Sequence, residues 1–337
     1  MKKFVPVYEG ELRKHSIQVP RCISECSGIR IFGRRIKSLV FSTDVAIIKN
    51  INADAVIAVY PFTPQPAITQ AILSVSEVPV FAGVGGGLTN GQRSASIAAY
   101  AEHQGAFGLV CNTFITEEAI RHEIHLNNEI TKSLLRLQYL MANDPAPVSG
   151  LNIVNTAYGS GFNMDVESLP ARINDLADQI EAEYAAGKNE GKKPRILVTG
   201  SPSGGAALKV IRAIEDAGAV VVAFENCSGL KSMLLTDEEN PDVYDALARR
   251  YLGIGCSCMS PNPNRLAMLD KLIDEFHVDG VVDIILQACH TYNVETALVG
   301  KLVKEKKGIP YTVVETDYSQ SDVGQIQTRM AAFVEML

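Results

Sequence analysis

Short apolar runs recur along the chain and alternate with longer stretches in which apolar residues return every three or four positions. In the first part, strands are predicted at 38–42, 55–60, 78–84 and 106–111, with helices at 64–75 and 92–103. Ile68, Ile72, Leu73 and Val75 fall mostly on one face of the first of these helices. Alternation of this kind implies a parallel sheet. Residues 116–141 read as one long helix, opened by Thr116-Glu117-Glu118-Ala119 and stopped by Asp144-Pro145-Ala146-Pro147, and 166–186 read as a second. A cleaner series follows, with strands at 195–199, 219–224, 251–254, 280–286 and 311–315 and helices at 205–217, 243–250, 264–276, 293–306 and 323–336. Runs such as Val281-Val282-Asp283-Ile284-Ile285-Leu286 are expected where helices cover both faces of a sheet. The predicted class is α/β with two parallel-sheet domains, the second doubly wound in the Rossmann or flavodoxin manner. Its boundaries are a first domain at 1–112, a helical linker region at 113–194 and the doubly wound domain at 195–337.

Composition narrows the function classes. The chain has 337 residues, 47% hydrophobic and 20% charged, enough apolar material for two cores and too much for a disordered chain. A net charge of -7, with no long run of like charge, argues against nucleic acid as a partner. Two lysines at the start precede too few apolar residues for a signal peptide or a membrane span, so the expected setting is the cytoplasm, away from membranes. The seven cysteines fit a reduced compartment, where thiols are free for metal or chemistry.

In an open parallel sheet, ligands gather beyond the carboxyl ends of the strands. Those positions are polar and sulfur-rich here: Gly200-Ser201-Pro202-Ser203-Gly204-Gly205, Glu225-Asn226-Cys227-Ser228-Gly229, Cys256-Ser257-Cys258-Met259, Gln287-Ala288-Cys289-His290-Thr291 and Glu315-Thr316-Asp317-Tyr318. Any one cysteine could simply pack as a small hydrophobe, but three strand ends carry one. Cys289 is the leading metal candidate, because a helix start favours thiolate and a thiolate binds iron. His290 reads as a capping residue or, less readily, a second ligand. Cys256 and Cys258 have the wrong spacing for a Cys-x-x-Cys pair and read as pocket wall. Ser201, Ser203, Gly204 and Gly205 form either a phosphate or carboxylate cradle or a structural turn, and Glu225, Asn226 and Cys227 line the same pocket. In the first half, Gly83-Val84-Gly85-Gly86-Gly87 with Thr89-Asn90-Gly91 reads as a flexible or tightly folded loop, or as one that wraps phosphate. Cys22, Cys26 and Cys111 become cluster ligands only if the fold gathers them.

From about residue 115 to 337 the chain resembles the 2-hydroxyacyl-CoA dehydratase D-component family, which includes benzoyl-CoA reductase subunits and double-cubane-cluster reductases. The likeness runs through Arg195 to Gly200, Glu225 to Gly229, Gly255 to Asn262, Val278 to Asp283, Gln287-Ala288-Cys289-His290-Thr291-Tyr292-Asn293-Val294-Glu295, and Ile309 through Tyr318-Ser319 to Gly324-Gln325, and is nearest to the double-cubane branch. The resemblance implies an oxygen-sensitive protein with an iron-sulfur cluster, [4Fe-4S] or double cubane. It also implies single electrons from an ATP-hydrolysing activator, a small-molecule or acyl-CoA substrate, a homo- or hetero-dimer, and Cys289 as a cluster ligand. The chain departs from the family pattern in two places: no Thr-Cys-Asp-like segment precedes Cys227, and Gly200-Ser201-Pro202 stands where Gly-Cys-Pro is usual. Residues 1–112 resemble instead the first half of an unrelated bacterial α/β-barrel family of hydrolases, through Phe41-Ser42-Thr43-Asp44, Tyr60 to Pro66 and Val80 to Gly87, so the first domain reads as half-barrel-like.

Three functions follow as expectations. The first is an iron-sulfur-dependent reductive enzyme of the 2-hydroxyacyl-CoA dehydratase or double-cubane reductase type. The second is a non-catalytic scaffold or partner subunit lacking the full ligand set. The third is a phosphate-dependent barrel-type enzyme using the 83–91 glycine segment.

Overall fold

The computed structural model describes residues 18–59, 64–86, 91–112, 116–163, 165–202 and 204–337. The chain divides into two compact units, Met1–Thr116 and Glu117–Leu337. Each contains a four-stranded parallel sheet flanked by helices, the α/β class expected from the alternating pattern.

Among the described residues, the first unit has a short 3-10 turn at Arg21–Glu25 and then an antiparallel hairpin of β1 (Ile29–Ile31) and β2 (Arg34–Ile36). There follow β3 (Leu39–Phe41), α1 (Val45–Asn50), β4 (Ala55–Ala58), α2 (Pro66–Val75), β5 (Val80–Gly86), α3 (Gly91–His103) and β6 (Gly108–Asn112). Strands β3 to β6 lie side by side in chain order, all parallel. Helix α1, too short for periodicity to predict, is held by its N-cap: Asp44 accepts from the N–H groups of Ala46 at 2.8 Å and Ile47 at 3.2 Å. The glycine run differs from the expected loop. Gly83, Gly85 and Gly86 continue β5, with a register shift between Gly83 and Gly85 and φ +120° at Gly85. Glycine tolerates the positive φ that such a bulge demands. Residues 87–90, the rest of that segment, lie outside the described residues.

The second unit begins with α4 (Glu117–Tyr139), α5 (Gly150–Ser160) and α6 (Leu169–Ala185). It continues with β7 (Arg195–Gly200), α7 (Gly205–Asp216), β8 (Val220–Asn226), α8 (Val243–Gly253), α9 (Pro263–Glu275), β9 (Gly280–Leu286), α10 (His290–Lys301), β10 (Tyr311–Thr316) and α11 (Val323–Val334). The sheet order is β8-β7-β9-β10, all parallel. Numbered from β7, that is 2-1-3-4, the flavodoxin-like order whose switch point falls between β7 and β9. β7 and β8 are buried along their whole length, because helices cover both faces. Helices α7 and α11 pack on each other, and α5 packs on β8 and α7. The hydrophobic core runs from α4 through the sheet to α11, so α4 to α6 belong to the same packed body as the strands.

One expected strand is not there. Residues 251–253 form the last turn of α8 and Ile254 its C-cap; Asp242 caps the other end by accepting from Tyr244 N at 2.9 Å and Asp245 N at 3.1 Å. Tyr251 and Leu252 are exposed, so β-prone side chains sit on a helix surface where nothing packs them into a sheet. Helix α5 has no counterpart among the expected elements; its Gly, Asn, Thr and Ser residues are weak helix formers, and it is held instead by tertiary contacts. The carboxylate of Glu215 accepts from Gly150 N at 2.6 Å and Leu151 N at 3.3 Å, serving the first turn of α5 from α7.

Gly200 ends β7 with φ +102°, and a Cβ there would lie 2.3 Å from Ile284 O and 2.5 Å from Asp283 Oδ1. Gly218 has nearly the same φ, +97°, with nothing within 4 Å of an added Cβ. Gly200→Ala should therefore cost about 3 kcal/mol, and Gly218→Ala about 1 kcal/mol, the difference being collision rather than backbone conformation. Urea midpoints followed by circular dichroism measure both; equal losses would remove the packing argument.

Candidate functional site

The register of the second sheet aligns three polar side chains across its buried middle: Glu225 on β8, Thr199 on β7 and Asp283 on β9 stand level with one another. All three are fully buried. Above this row lies the guanidinium of Arg265, from the first turn of α9, itself 1% exposed. It donates to Thr199 Oγ1 at 2.9 Å, to Glu225 Oε2 at 3.3 Å and to Glu295 Oε2 at 2.5 Å, and lies 3.8 Å from Asp283 Oδ1. Thr199 Oγ1 donates in turn to Glu225 Oε2. Burial pushes the Glu225 and Asp283 carboxyls upward, against the pull of Arg265. For Arg265 itself burial pulls the other way, yet the charges of Glu225 and Asp283 and the contact with Glu295 keep it firmly protonated. Glu225 Oε1, Asp283 Oδ1 and Asn262 Oδ1 are buried with no hydrogen-bond partner among the described residues.

The strand ends above this row carry the sulfur. Cys227, exposed, directly follows β8, and its Sγ lies 3.5 Å from Tyr292 Oη. Asn226, fully buried, shapes that turn by accepting from Ser228 N at 3.1 Å with its side chain and from Gly229 N at 3.0 Å with its carbonyl. Cys289 is the N-cap of α10, its Sγ 3.7 Å from Thr291 Oγ1. Ala288 before it adopts φ +66°, a left-handed conformation that a non-glycine residue holds at a cost, here at the turn that presents the thiol. Cys256 and Cys258 occupy the loop between α8 and α9. Asn262 Nδ2 ties that loop to α10 by donating to Cys256 O at 3.0 Å and Glu295 Oε1 at 2.8 Å. Ser257 Oγ reaches Thr291 Oγ1 at 3.3 Å. The Cys258 thiol is pushed up first by its hydrogen bond with Cys256 and the Cys256 charge, with burial and the charges of Cys289 and Cys227 adding to it. Four thiols from three loops therefore share one electrostatic neighbourhood. Among the described residues, no group of three or more His, Cys, Asp or Glu side chains is placed so that it could hold a metal ion.

The other candidates sort as follows. Ser201 is 1% exposed and faces the sheet: its N–H donates to Ile284 O at 2.7 Å and its Oγ accepts from Leu286 N at 3.0 Å, lacing the end of β7 to β9. Ser203 lies outside the described residues. Gly204 is the N-cap of α7 with no side-chain cap, and a Cβ on it would come 3.3 Å from Tyr158 Oη; Gly205 faces open space. Cys22, Cys26 and Cys111 are exposed and belong to the first unit. Sequence reasoning missed Arg265, Glu295, Tyr292 and Lys231, although charged Glu225 and Asp283 inside apolar strands were a signal that buried cations must answer them.

Beside Cys227 a cleft of about 470 Å³ opens between α4, the α5–α6 connection and the loop after β8. Ile130, Leu134, Phe162 and Met233 give it an apolar wall, and Asn127 and Arg250 a polar one. Arg250 is held by Leu234 O at 2.8 Å and Ser232 O at 3.4 Å. Its size suits a small organic molecule.

A family model described as 2-hydroxyglutaryl-CoA dehydratase, D-component, matches residues 93–337, so the chain belongs to that family. It is 48% identical over 223 residues to the dehydratase subunit YjiM of Escherichia coli K12, covering 66% of this chain and 58% of that protein. It is also similar to the beta subunit of (R)-phenyllactyl-CoA dehydratase from Clostridium sporogenes, 24% identical over 66% of this chain and 58% of the relative. One of the subunits of benzoyl-CoA reductase from Thauera aromatica is 28% identical over 42% of this chain and 34% of its own length. The chain thus spans less than two thirds of the length of these relatives. No helix among the described residues is long and apolar enough to cross a membrane.

Removing Arg265 would strand Glu225, Asp283 and Glu295 without their cation, so Arg265→Leu should cost about 3–5 kcal/mol. Glu225→Gln should cost much less, since burial already favours its neutral form. A carboxyl whose folded pKa is raised stabilises most below its unfolded value and loses that contribution as pH rises through the folded one. Glu225→Gln should therefore flatten the decline of stability on the alkaline side of the ordinary carboxyl range. Urea unfolding at several pH values checks both, and equal losses from the two variants would contradict the assignment.

Proposed function

We propose that this chain is the reductive, iron-sulfur-dependent component of a 2-hydroxyacyl-CoA dehydratase-like or double-cubane-type system. The observation that carries the reading is that the loops bearing Cys227, Cys256, Cys258 and Cys289 are tied together at the start of α10, through Tyr292, Thr291 and Glu295, in a chain of this family. Thiolate sulfur is the donor that iron-sulfur groups require, and loops beyond strand ends are where such sheets hold ligands. Cys289, set at the start of α10, and Cys227 would hold the group, with Cys256 or Cys258 completing the set. A bound cluster supplies single low-potential electrons. The chain's own part is to fix the thiols from the Arg265 row below and to offer the cleft beside Cys227 to the organic substrate, an acyl-CoA or another small molecule. Membership of a multi-subunit assembly in the cytoplasm, fed by an ATP-hydrolysing activator, belongs to the same proposal. The names of the relatives as subunits support the multi-subunit part of it.

The competing reading is a scaffold or partner subunit without a full ligand set. It draws on the absence, among the described residues, of a group placed so that it could hold a metal ion. Iron and acid-labile sulfide in anaerobically reconstituted protein separate the two. The wild type should hold both, and Cys289→Ser should lose most of its iron, because a protonated hydroxyl is a poor replacement for thiolate. Cys258→Ser should retain more, since that thiol is exposed and held toward its protonated form. Wild-type protein without iron, or a Cys289 variant that keeps all of it, leaves the scaffold reading in place.

A further inference from the structure

Lys231 is fully buried, at 0% exposure, in the short turn Leu230–Ser232 after β8. Burying an ammonium without an ion pair is costly, and no carboxylate lies within salt-bridge distance of it among the described residues. What it meets is Tyr292: the Nζ donates to Tyr292 Oη and lies 4.7 Å from the centre of the same ring. Arg265 approaches that ring as well, its Cζ 4.9 Å from the centre. Tyr292 is itself 5% exposed, and its hydroxyl is 3.5 Å from Cys227 Sγ. A phenol has one proton to donate. Since Lys231 donates into the phenol oxygen, the phenol proton is left to point at the sulfur.

We propose that Lys231 and Tyr292 are positioning residues for Cys227, a buried relay that aims the Tyr292 hydroxyl at the Cys227 sulfur and raises the reduction potential of an iron-sulfur group held there. Hydrogen bonds and positive charge directed at a cluster sulfur stabilise the reduced, more negative state. Two cations on one aromatic ring polarise the hydroxyl further in that direction. The potential-setting role rests on the cluster reading above. The hydrogen bond to Cys227 does not.

Two variants test it in the full chain. Tyr292→Phe keeps the ring, its packing and its cation contacts and removes only the hydroxyl. Lys231→Met keeps the length and burial of the side chain and removes the charge. In anaerobic protein without metal, the infrared S–H stretch of Cys227, assigned by its disappearance in Cys227→Ser, should move in Tyr292→Phe and move less in Lys231→Met. In reconstituted protein, redox titration should find both variants at more negative potential than wild type with unchanged iron content, Tyr292→Phe being displaced further. Fe–S(Cys) Raman bands should shift in D₂O for wild type and lose that shift in Tyr292→Phe. An unmoved S–H band overturns the hydrogen bond. A moved band with an unmoved potential overturns the potential-setting role. Protein that binds no iron removes that role together with the cluster reading, and the infrared band then decides the hydrogen bond separately.

Discussion

Arg265 is the residue on which three separate loops depend. Its guanidinium, 1% exposed, is shared among Glu225, Thr199, Glu295 and, at longer range, Asp283. Glu225 stands two residues before Cys227, so fixing its carboxylate fixes the strand end that delivers that thiol. Glu295 lies in the second turn of α10, so the same guanidinium sets the helix whose N-cap is Cys289. The Cys256–Cys258 loop leads directly into α9, and a Cβ on Gly255 would come within 2.7 Å of Arg265 N, so the third loop is pressed against the backbone of the arginine itself. A lysine could not substitute, because the planar fork reaches Thr199, Glu225 and Glu295 at once. The energetic consequence is asymmetric. A complete row of this kind adds little over apolar packing, but a row missing its cation leaves buried charges with no compensation.

The same row explains why a doubly wound sheet tolerates polar residues at its centre. Thr199, Glu225 and Asp283 are level across three strands, so their side chains share one face and one cation answers all of them. A shift of one residue in the β7–β9 register would turn Asp283 to the other face, away from Arg265. Ser201 opposes that shift, since its hydroxyl and its N–H are both bound to β9. A serine that reads in sequence as part of an anion cradle therefore contributes to holding the register on which the polar row depends.

Strand and helix alternation was legible because apolar periodicity survives wherever an element packs on a sheet, and most strands of both sheets lie within a few residues of their expected places. The failures have local physical causes. Residues 251–253 carry β-prone side chains but finish a capped helix, and α5 is composed of weak helix formers held by Glu215 from outside. The strand ends and the two thiols that follow them, Cys227 and Cys289, could be read because topology alone sends them to one edge of the sheet, whereas Cys256 and Cys258, expected after a strand, follow helix α8. Arg265, Lys231 and Tyr292 could not. Each sits on a short turn or helix where a lysine, arginine or tyrosine ordinarily faces solvent, and only the three-dimensional register shows that Glu225 and Asp283 are waiting there.

The thiols thus have two unlike sides. Beneath them lies a polar layer, buried Arg265, Lys231, Glu225 and Asp283 with half-buried Glu295 at its edge, which touches the sulfur layer through Tyr292. Above them Cys227 and Cys258 are exposed, and the cleft beside Cys227 is open. Electrostatic interactions in the buried layer are screened little by water, whereas those on the exposed side are screened strongly. The thiols therefore feel the buried layer beneath them strongly and charges on their solvent side weakly. That division lets the chain set the electrostatics at the thiols while leaving the cleft beside Cys227 open.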